Sequence, residues 1–363
     1  MIIGVPKEIK TQESRVSVRP DGVKQLVAAG HRVLVEHNAG IKSGFTNEDY
    51  ISAGGTLENS AETIWNDSNM IIKVKEPLES EYKYFRSDLN LFTYLHLASV
   101  PQLAKALCET NVTSIGYETV ETDDHQLPLL IPMSEVAGRV GTQVGTYLLH
   151  KNHGGKGLLL GGVTGTRPGT VVVIGGGHVG LNSAEVAAGL RADTIVLDIS
   201  DDKLNYIEKK YKGAIKPVKS TPESISEWVS KADLLVGAVL VAGDRAPHVV
   251  KEEHVKAMQW GSVIVDVAID QGGCIETIRA TSHDEPTYVM HNVIHYAVPN
   301  MPALTPYTST EALTSATFPY ALKLANEGIE AALTRDPVLA KGLQTKNGKV
   351  TLPVLQKLFP NLA

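Results

Sequence analysis

Between Thr170 and Asp198 a β-branched apolar run, Val171 to Ile174, enters the turn Gly175-Gly176-Gly177-His178-Val179-Gly180, and a second apolar run, Thr194 to Leu197, ends in an acid. A short apolar run bounded by glycine has the character of a parallel strand buried on both faces, and the alanine-rich stretch Leu181 to Leu190 has that of a helix packed on a sheet. Strand, turn and helix in this order leave few folds open. Gly175, Gly177 and Gly180 fit G-x-G-x-x-G: the first glycine permits the tight turn, the second lets backbone approach a pyrophosphate, and the third lets helix and strand pack closely. The helix N-terminus then faces the phosphates. Asp198 closes the second strand roughly twenty residues past the glycines, where a carboxylate hydrogen-bonds the adenosine ribose diol and repels a 2′-phosphate. The pattern predicts a site for NAD in preference to NADP. Asp198 also suits a second role, as N-cap of a helix from Ser200 onward.

The nucleotide unit continues through Leu234 to Val241 and Ser262 to Ala268, both continuous apolar runs of buried-strand type. The first third of the chain repeats the alternation: Ile2 to Val5, Arg32 to Glu36, Met70 to Val74, Leu91 to Leu95 and Ser114 to Tyr117 read as strands. Helical patterns at Pro20 to Ala29 and Pro101 to Thr110 each begin with a proline, which a first turn tolerates. This second α/β unit has no glycine fingerprint, so its expected task is substrate binding. A long helix is expected from Ser134 to His150, then a flexible glycine-rich passage from Gly154 to Gly162. After Pro306 the pattern turns helical, with Glu311 to Glu330 rich in alanine and leucine and a short helical remnant before Phe359. The expected fold is thus α/β: two Rossmann-like domains with doubly wound, mostly parallel sheets. Residues 1–133 form the first part of a substrate domain, 134–305 the NAD-binding domain inserted into it, and 306–363 a helical return. Two crossings between domains make a hinge with a cleft, where small-molecule sites commonly sit.

With 363 residues the chain can bury two sizeable cores. Its 40 acids and 34 bases are mixed along the sequence, and no basic block is present to track a phosphate backbone, so nucleic acid is not an expected partner. No apolar run reaches the roughly twenty residues of a membrane span. Met1 to Lys7 lack the layout of a signal peptide, so the expectation is cytoplasmic. Cys108 and Cys274 stand far apart with no ligand cluster near them, which predicts two reduced thiols and no metal site.

Three polar residues of the first unit interrupt apolar patterns: Arg15, Lys75 at the end of Ile71 to Lys75, and His96 between Leu95 and Leu97. An arginine and a lysine at strand ends can clamp a carboxylate, and a neighbouring histidine suits acid–base work. Equally, a histidine inside an apolar strand can be a hydrogen-bonded core residue, and Arg15 and Lys75 can be surface charges. In the nucleotide unit Asp270 leaves a strand for the turn Gln271-Gly272-Gly273, at the sheet edge where ligands bind. Closing its own turn is the other reading.

Taken together these segments resemble the alanine dehydrogenase family. The matching pieces are Gly4-Val5-Pro6-Lys7-Glu8 with Arg15, Lys73 to Pro77, Thr93 to Ala98, Pro132 to Arg139, the glycine turn with Asp198, Asp270 to Cys274, Val298 to Pro302 and Leu339 to Leu343. They span nearly the whole chain in order. The nucleotide-binding part of proton-translocating transhydrogenase shares much of the pattern. The resemblance implies that Arg15 and Lys75 bind the substrate carboxylate and its keto or amino group, while His96 and Asp270 transfer protons. It places nucleotide contacts on Ser134, His178, Val179, Asp198, Lys203, Ser220, Val239 and Leu240. Further contacts fall on Val267, Ala268, Ile269, Asp270, Arg279, Val298, Pro299, Asn300 and Met301. Arg19, where the family often has threonine, and Thr164, where it often has proline, depart from the pattern beside sites and not in them.

The implied reaction is NAD-dependent reversible oxidative deamination of L-alanine to pyruvate and ammonium. Hydride leaves Cα for nicotinamide C4, and water attacks the resulting iminium, with no metal required. The family suggests a homo-oligomer, a hexamer. A soluble transhydrogenase-like subunit would need a membrane-spanning partner and a second nucleotide domain. A catalytically silent NAD-binding module would have no use for Arg15, Lys75, His96 and Asp270, all retained.

Overall fold

The computed structural model describes residues 1–239 and 246–363, and its described residues divide into two compact units, Met1–Met133 with Thr305–Ala363, and Ser134–Leu304. Each unit is built on its own sheet.

In the first unit β1 (Ile2–Val5), β2 (Arg32–Glu36), β3 (Thr56–Glu58), β4 (Met70–Ile72), β5 (Asn90–Thr93) and β6 (Thr113–Gly116) are mutually parallel in the order β6-β5-β4-β1-β2-β3. That is the doubly wound order, which reverses direction between β1 and β4. Helices Ala61–Asp67 and Pro101–Glu109 bury Ile64, Trp65, Leu103 and Leu107 with Leu34, Ile71 and Leu91 of the strands in one core. The expected proline-initiated helices form as Pro20–Ala28 and Pro101–Glu109. Two strands stop short of their apolar runs for a local reason. Glu8 accepts the N–H groups of Val74 at 2.6 Å and Lys75 at 3.3 Å, and Glu118 those of Leu95 and His96, so carboxylates divert the chain from the ladder.

The second unit contains β7 (Thr170–Ile174), β8 (Asp193–Asp198), β9 (Lys216–Lys219), β10 (Leu234–Gly237), β11 (Val263–Asp266), β12 (Thr287–Met290) and β13 (Val293–Tyr296), in the order β12-β13-β11-β10-β7-β8-β9. All pairings are parallel except that of β12 with β13. Val171 to Ile174, Leu234 to Val236 and Val263 to Val265 are fully buried, as continuous apolar runs require. The helix after the glycine turn is His178–Gly189 and begins ahead of the expected Leu181, because Gly177 in extended conformation already caps it. Helix Ile131–Leu148 likewise starts ahead of Ser134.

The returning segment is not purely helical. After helices Pro306–Glu327, Ile329–Arg335 and Pro337–Ala340 come β14 (Leu343–Lys346) and β15 (Lys349–Val350). β14 pairs antiparallel with β6, and β15 with β14, turning over Asn347 and Gly348 at φ 52° and 75°. Helix Pro353–Leu358 follows. Among the described residues no helix is long and apolar enough to cross a membrane.

Candidate active site

In the first unit the three expected substrate residues lie in loops at the carboxyl ends of neighbouring strands: Arg15 after β1, Lys75 after β4 and His96 after β5. This is the edge at the topological switch point, where open α/β sheets bind ligands. Arg15 is no surface charge. It is 2% exposed, and Glu13 accepts its Nε at 2.7 Å, its Nη2 at 2.6 Å and its backbone N–H at 3.0 Å. Burial works against the guanidinium charge, but Glu13 outweighs it and raises the Arg15 pKa. The fork is thereby fixed in one orientation, with Nη1 3.0 Å from the Met133 sulfur.

Lys75 is half-buried, on a loop held from beneath by Glu8. Glu8 itself faces a buried ammonium, Lys73, at 3.2 Å, and Lys73 lies 3.0 Å from Glu81. Burial raises the Glu8 pKa over the opposing pull of Lys73 and the Val74 N–H. Burial alone would lower that of Lys73, and its two carboxylates reverse the sign. Glu76 is buried and bonded to Lys10. Burial pushes its carboxyl up, but Lys10, assisted by Lys75 and His96, holds it below the ordinary value.

His96 is not inside a strand. It follows β5 in the left-handed region, φ 50° and ψ 37°, a conformation that costs a non-glycine residue roughly 1–3 kcal/mol and persists only where the surroundings enforce it. The imidazole is half-buried and stacks on Tyr94 with ring centroids 5.7 Å apart and planes at 5°. Tyr94 donates to the Leu129 carbonyl at 2.6 Å, and burial holds its hydroxyl proton against the pull of Arg15.

In the second unit the glycine turn has the expected division of labour. Gly175 has φ 102° and a Cβ there would stand 2.6 Å from the Ala238 carbonyl oxygen; a Cβ on Gly180 would stand 1.8 Å from that of Gly175. Around Gly177 nothing lies within 4 Å. Asp198, at the end of β8, accepts the Gly176 N–H at 2.6 Å and the Ser200 N–H at 2.8 Å, with the Lys203 ammonium 3.5 Å away. The following helix, Asp201–Tyr211, is capped by Ser200 and not by Asp198. Ser220, after β9, donates its N–H to the Asp198 carbonyl at 3.0 Å. His178 and Val179 open the helix behind the turn, Ser134 is half-buried in helix Ile131–Leu148, and Val239 follows β10. Leu240 lies outside the described residues.

Val267, Ala268, Ile269 and Asp270 form a 3-10 turn, Val267–Gln271, after β11. The residue that closes this turn is Asp266. It is fully buried and accepts from the N–H groups of Ala268 at 3.0 Å, Cys274 at 2.7 Å and Ile275 at 3.1 Å. Burial pushes its carboxyl up to about 6 against those three donors. Asp270 is exposed, and its oxygens accept from the Asn300 N–H at 3.3 and 3.4 Å. Asn300, at φ 58°, stands between half-buried Pro299 and buried Met301, with Val298 buried at the end of β13. Arg279 holds its guanidinium 4.2 Å over the Tyr288 ring.

Sequence reasoning missed the carboxylates that shape these loops. Glu13 and Glu118 stand beside the turns they hold, and an acid directly after an apolar strand is the signal that marks Glu118 and Asp266. Gln344, which reaches Glu118 from β14 at 2.9 Å, carries no local signal.

Family models of the alanine dehydrogenase/PNT N-terminal and C-terminal domains match residues 4–137 and 141–353. The alanine dehydrogenase of Methanococcus maripaludis is 52% identical over 98% of this chain and 96% of its own length. That of Bacillus subtilis is 54% identical over 97% of this chain and 93% of its own length. A solved L-alanine dehydrogenase structure superposes over 100% of both chains with a TM-score of 0.97 at 49% identity. A transhydrogenase from Sinorhizobium meliloti, at 20% identity and TM-score 0.83 over 97% of this chain and 99% of its own, shares the fold. Both domains and the full length agree: the chain belongs to the alanine dehydrogenase/PNT family.

Proposed function

We propose that this chain catalyses the NAD-dependent, reversible oxidative deamination of L-alanine to pyruvate and ammonium. The observation that carries the reading is a buried guanidinium, a half-buried amine and a strained histidine on one switch-point edge, in a chain about half identical to alanine dehydrogenases over its full length. The second unit supplies features that fit a dinucleotide: open space at Gly177, a helix N-terminus behind it and Asp198 at the neighbouring strand end. The residues holding it would be Ser134, the Gly175 to Gly180 turn, Asp198, Lys203, Ser220, Val239, Val267 to Asp270, Arg279 and Val298 to Met301. Bound NAD would supply the hydride acceptor at C4 of its nicotinamide.

In this mechanism Arg15 holds the substrate carboxylate, its fork already fixed by Glu13 at no further entropic cost. Lys75 neutralises and polarises the oxygen that becomes the pyruvate carbonyl, orienting Cα. His96 takes the proton from water as it adds to the iminium carbon and returns it to the departing amine. Asp270, exposed and accepting from Asn300, is the second proton carrier. The protein is further proposed to act in the cytoplasm as a homo-oligomer, a hexamer by resemblance, which sedimentation equilibrium would count. A transhydrogenase-like role or a silent NAD-binding one is not favoured, given full-length identity to alanine dehydrogenases. The test is NADH oxidation with pyruvate, glyoxylate and 2-oxobutyrate, each with and without ammonium. Ammonium-dependent turnover fastest with pyruvate is expected; turnover indifferent to ammonium would overturn the reading.

A further inference from the structure

We propose that Glu118 and Gln344 are a positioning pair for His96, so that the C-terminal return strand sets the geometry of the proton-transfer group. This rests on His96 being the acid–base residue. A left-handed histidine needs an outside constraint, and the only carboxylate on its backbone among the described hydrogen bonds is Glu118. Its Oε1 accepts the His96 N–H at 2.8 Å, and its Oε2 the Leu95 N–H at 3.2 Å. A carboxylate accepting two successive N–H groups fixes the turn more firmly than either bond alone.

Glu118 in turn is held from β14. Gln344 Nε2 donates to Glu118 Oε1 at 2.9 Å and to Thr119 Oγ1 at 3.1 Å, and Gln344 is 2% exposed. Its direction comes from a β-bulge: Leu343 pairs with Ile115 and Thr345 with Ser114, so Gln344 is the extra residue between two adjacent partners. Bulges re-aim side chains in this way and are frequent beside active sites. The space is reserved for it. A Cβ on Gly116 would lie 2.0 Å from Gln344 Nε2, so a larger residue there would evict the amide. On either side the strand is anchored by Gly116 N–H to the Gly342 carbonyl at 2.7 Å and by the Ser114 and Thr345 hydroxyls at 2.7 Å. The outcome is a chain of bonds from the return segment to the backbone of His96, with no member touching substrate.

The pair is tested with E118Q, Q344A and the reciprocal double variant E118Q/Q344E, each measured for kcat, KM for pyruvate, the pH profile of kcat, NADH binding and thermal melting. The expected result is that E118Q and Q344A keep KM and NADH binding while kcat falls by roughly 10- to 100-fold, the scale of a slightly misplaced catalytic group. The acid–base limb of the kcat profile should move as well. The double variant keeps one donor and one acceptor at each contact with their roles exchanged, and should recover most of kcat. An active wild type whose E118Q variant retains kcat and pH profile overturns the pairing. So does a kcat loss that follows the loss of folded protein and is not rescued in the double variant. If E118Q does not fold, Q344A alone decides by the same criteria. A wild type that does not turn over pyruvate and ammonium overturns the functional reading instead.

Discussion

Asp198 accepts the backbone N–H of Gly176 at 2.6 Å, so the acid expected to select the cofactor is anchored to the same glycine turn that would carry the pyrophosphate. The Ser200 N–H holds its other oxygen at 2.8 Å. A carboxylate fixed from both sides meets a ribose diol without first losing rotamer freedom, and its charge repels a 2′-phosphate. Lys203, 3.5 Å away, partly offsets that repulsion. Replacing Asp198 by alanine should therefore raise KM for NAD and narrow the ratio of kcat/KM between NAD and NADP by roughly tenfold or more, as about 1.4 kcal/mol of discrimination is lost. An unchanged ratio in the alanine variant would remove Asp198 from cofactor selection.

The glycines of the turn differ in what they tolerate. At Gly180 a methyl group would stand 1.8 Å from the Gly175 carbonyl oxygen, so Gly180→Ala must push the helix from the strand. The expected result is a loss of roughly 1–3 kcal/mol of stability together with NADH binding. Gly177→Ala meets nothing within 4 Å, and should leave thermal melting unchanged while weakening NADH binding, because the new methyl occupies the space a pyrophosphate needs. Fluorescence titration of NADH alongside melting separates the two; equal effects at both positions would contradict this division.

His96→Gln addresses whether the histidine works or merely fills space. The residue is half-buried, in a turn and not in a strand, so its removal leaves no empty core site. The folded variant should bind NADH and pyruvate almost normally while kcat falls by roughly 10²- to 10⁴-fold. Near-normal kcat in well-folded His96→Gln protein would sink the proposed mechanism.

The strands, the glycine turn and the polar residues at strand ends are legible in sequence because each has a local cause: apolar runs make buried strands, and charges at their ends face solvent or ligand. The β14–β15 hairpin was legible too, since Asn347-Gly348 is a strong two-residue turn signal, but the helical pattern around it drew the segment into the wrong class. The β12–β13 turn over His291 and Asn292, at φ 53° and 61°, carries a weaker signal, because histidine is not a usual left-handed residue. What sequence could not supply is contact across distance. Glu8 reaches Val74, Glu118 reaches His96 and Gln344 reaches Glu118 only because the sheet order brings their loops together. Asp270 shows the same limit: Asp266, four positions earlier in the same acidic stretch, closes the turn that either residue was able to close.

The glycine-rich passage expected to be flexible is pinned at two points by one carboxylate. Asp233, fully buried before β10, accepts from Lys156 Nζ at 2.8 Å, Arg167 Nη1 at 2.7 Å and the Thr170 N–H at 2.8 Å. Burial raises the pKa of this carboxyl, and Arg167, Lys156 and the Thr170 N–H together outweigh burial, so it stays below its ordinary value of 3.8. An acid whose folded pKa is depressed binds fewer protons folded than unfolded, so its contribution is complete above pH 4 or so and is lost as pH falls through the folded value. Asp233→Asn removes the charge while keeping the shape. At pH 7 the variant should be less stable by about 1–3 kcal/mol, with Arg167 contributing least because its side chain is half exposed. The gap between variant and wild type should hold from pH 7 to 5 and close between pH 4 and 3, where the wild-type carboxyl takes up its proton. Urea unfolding across that range provides the measurement, and a gap that persists undiminished at pH 3 would show that Asp233 stabilises by shape and not by charge.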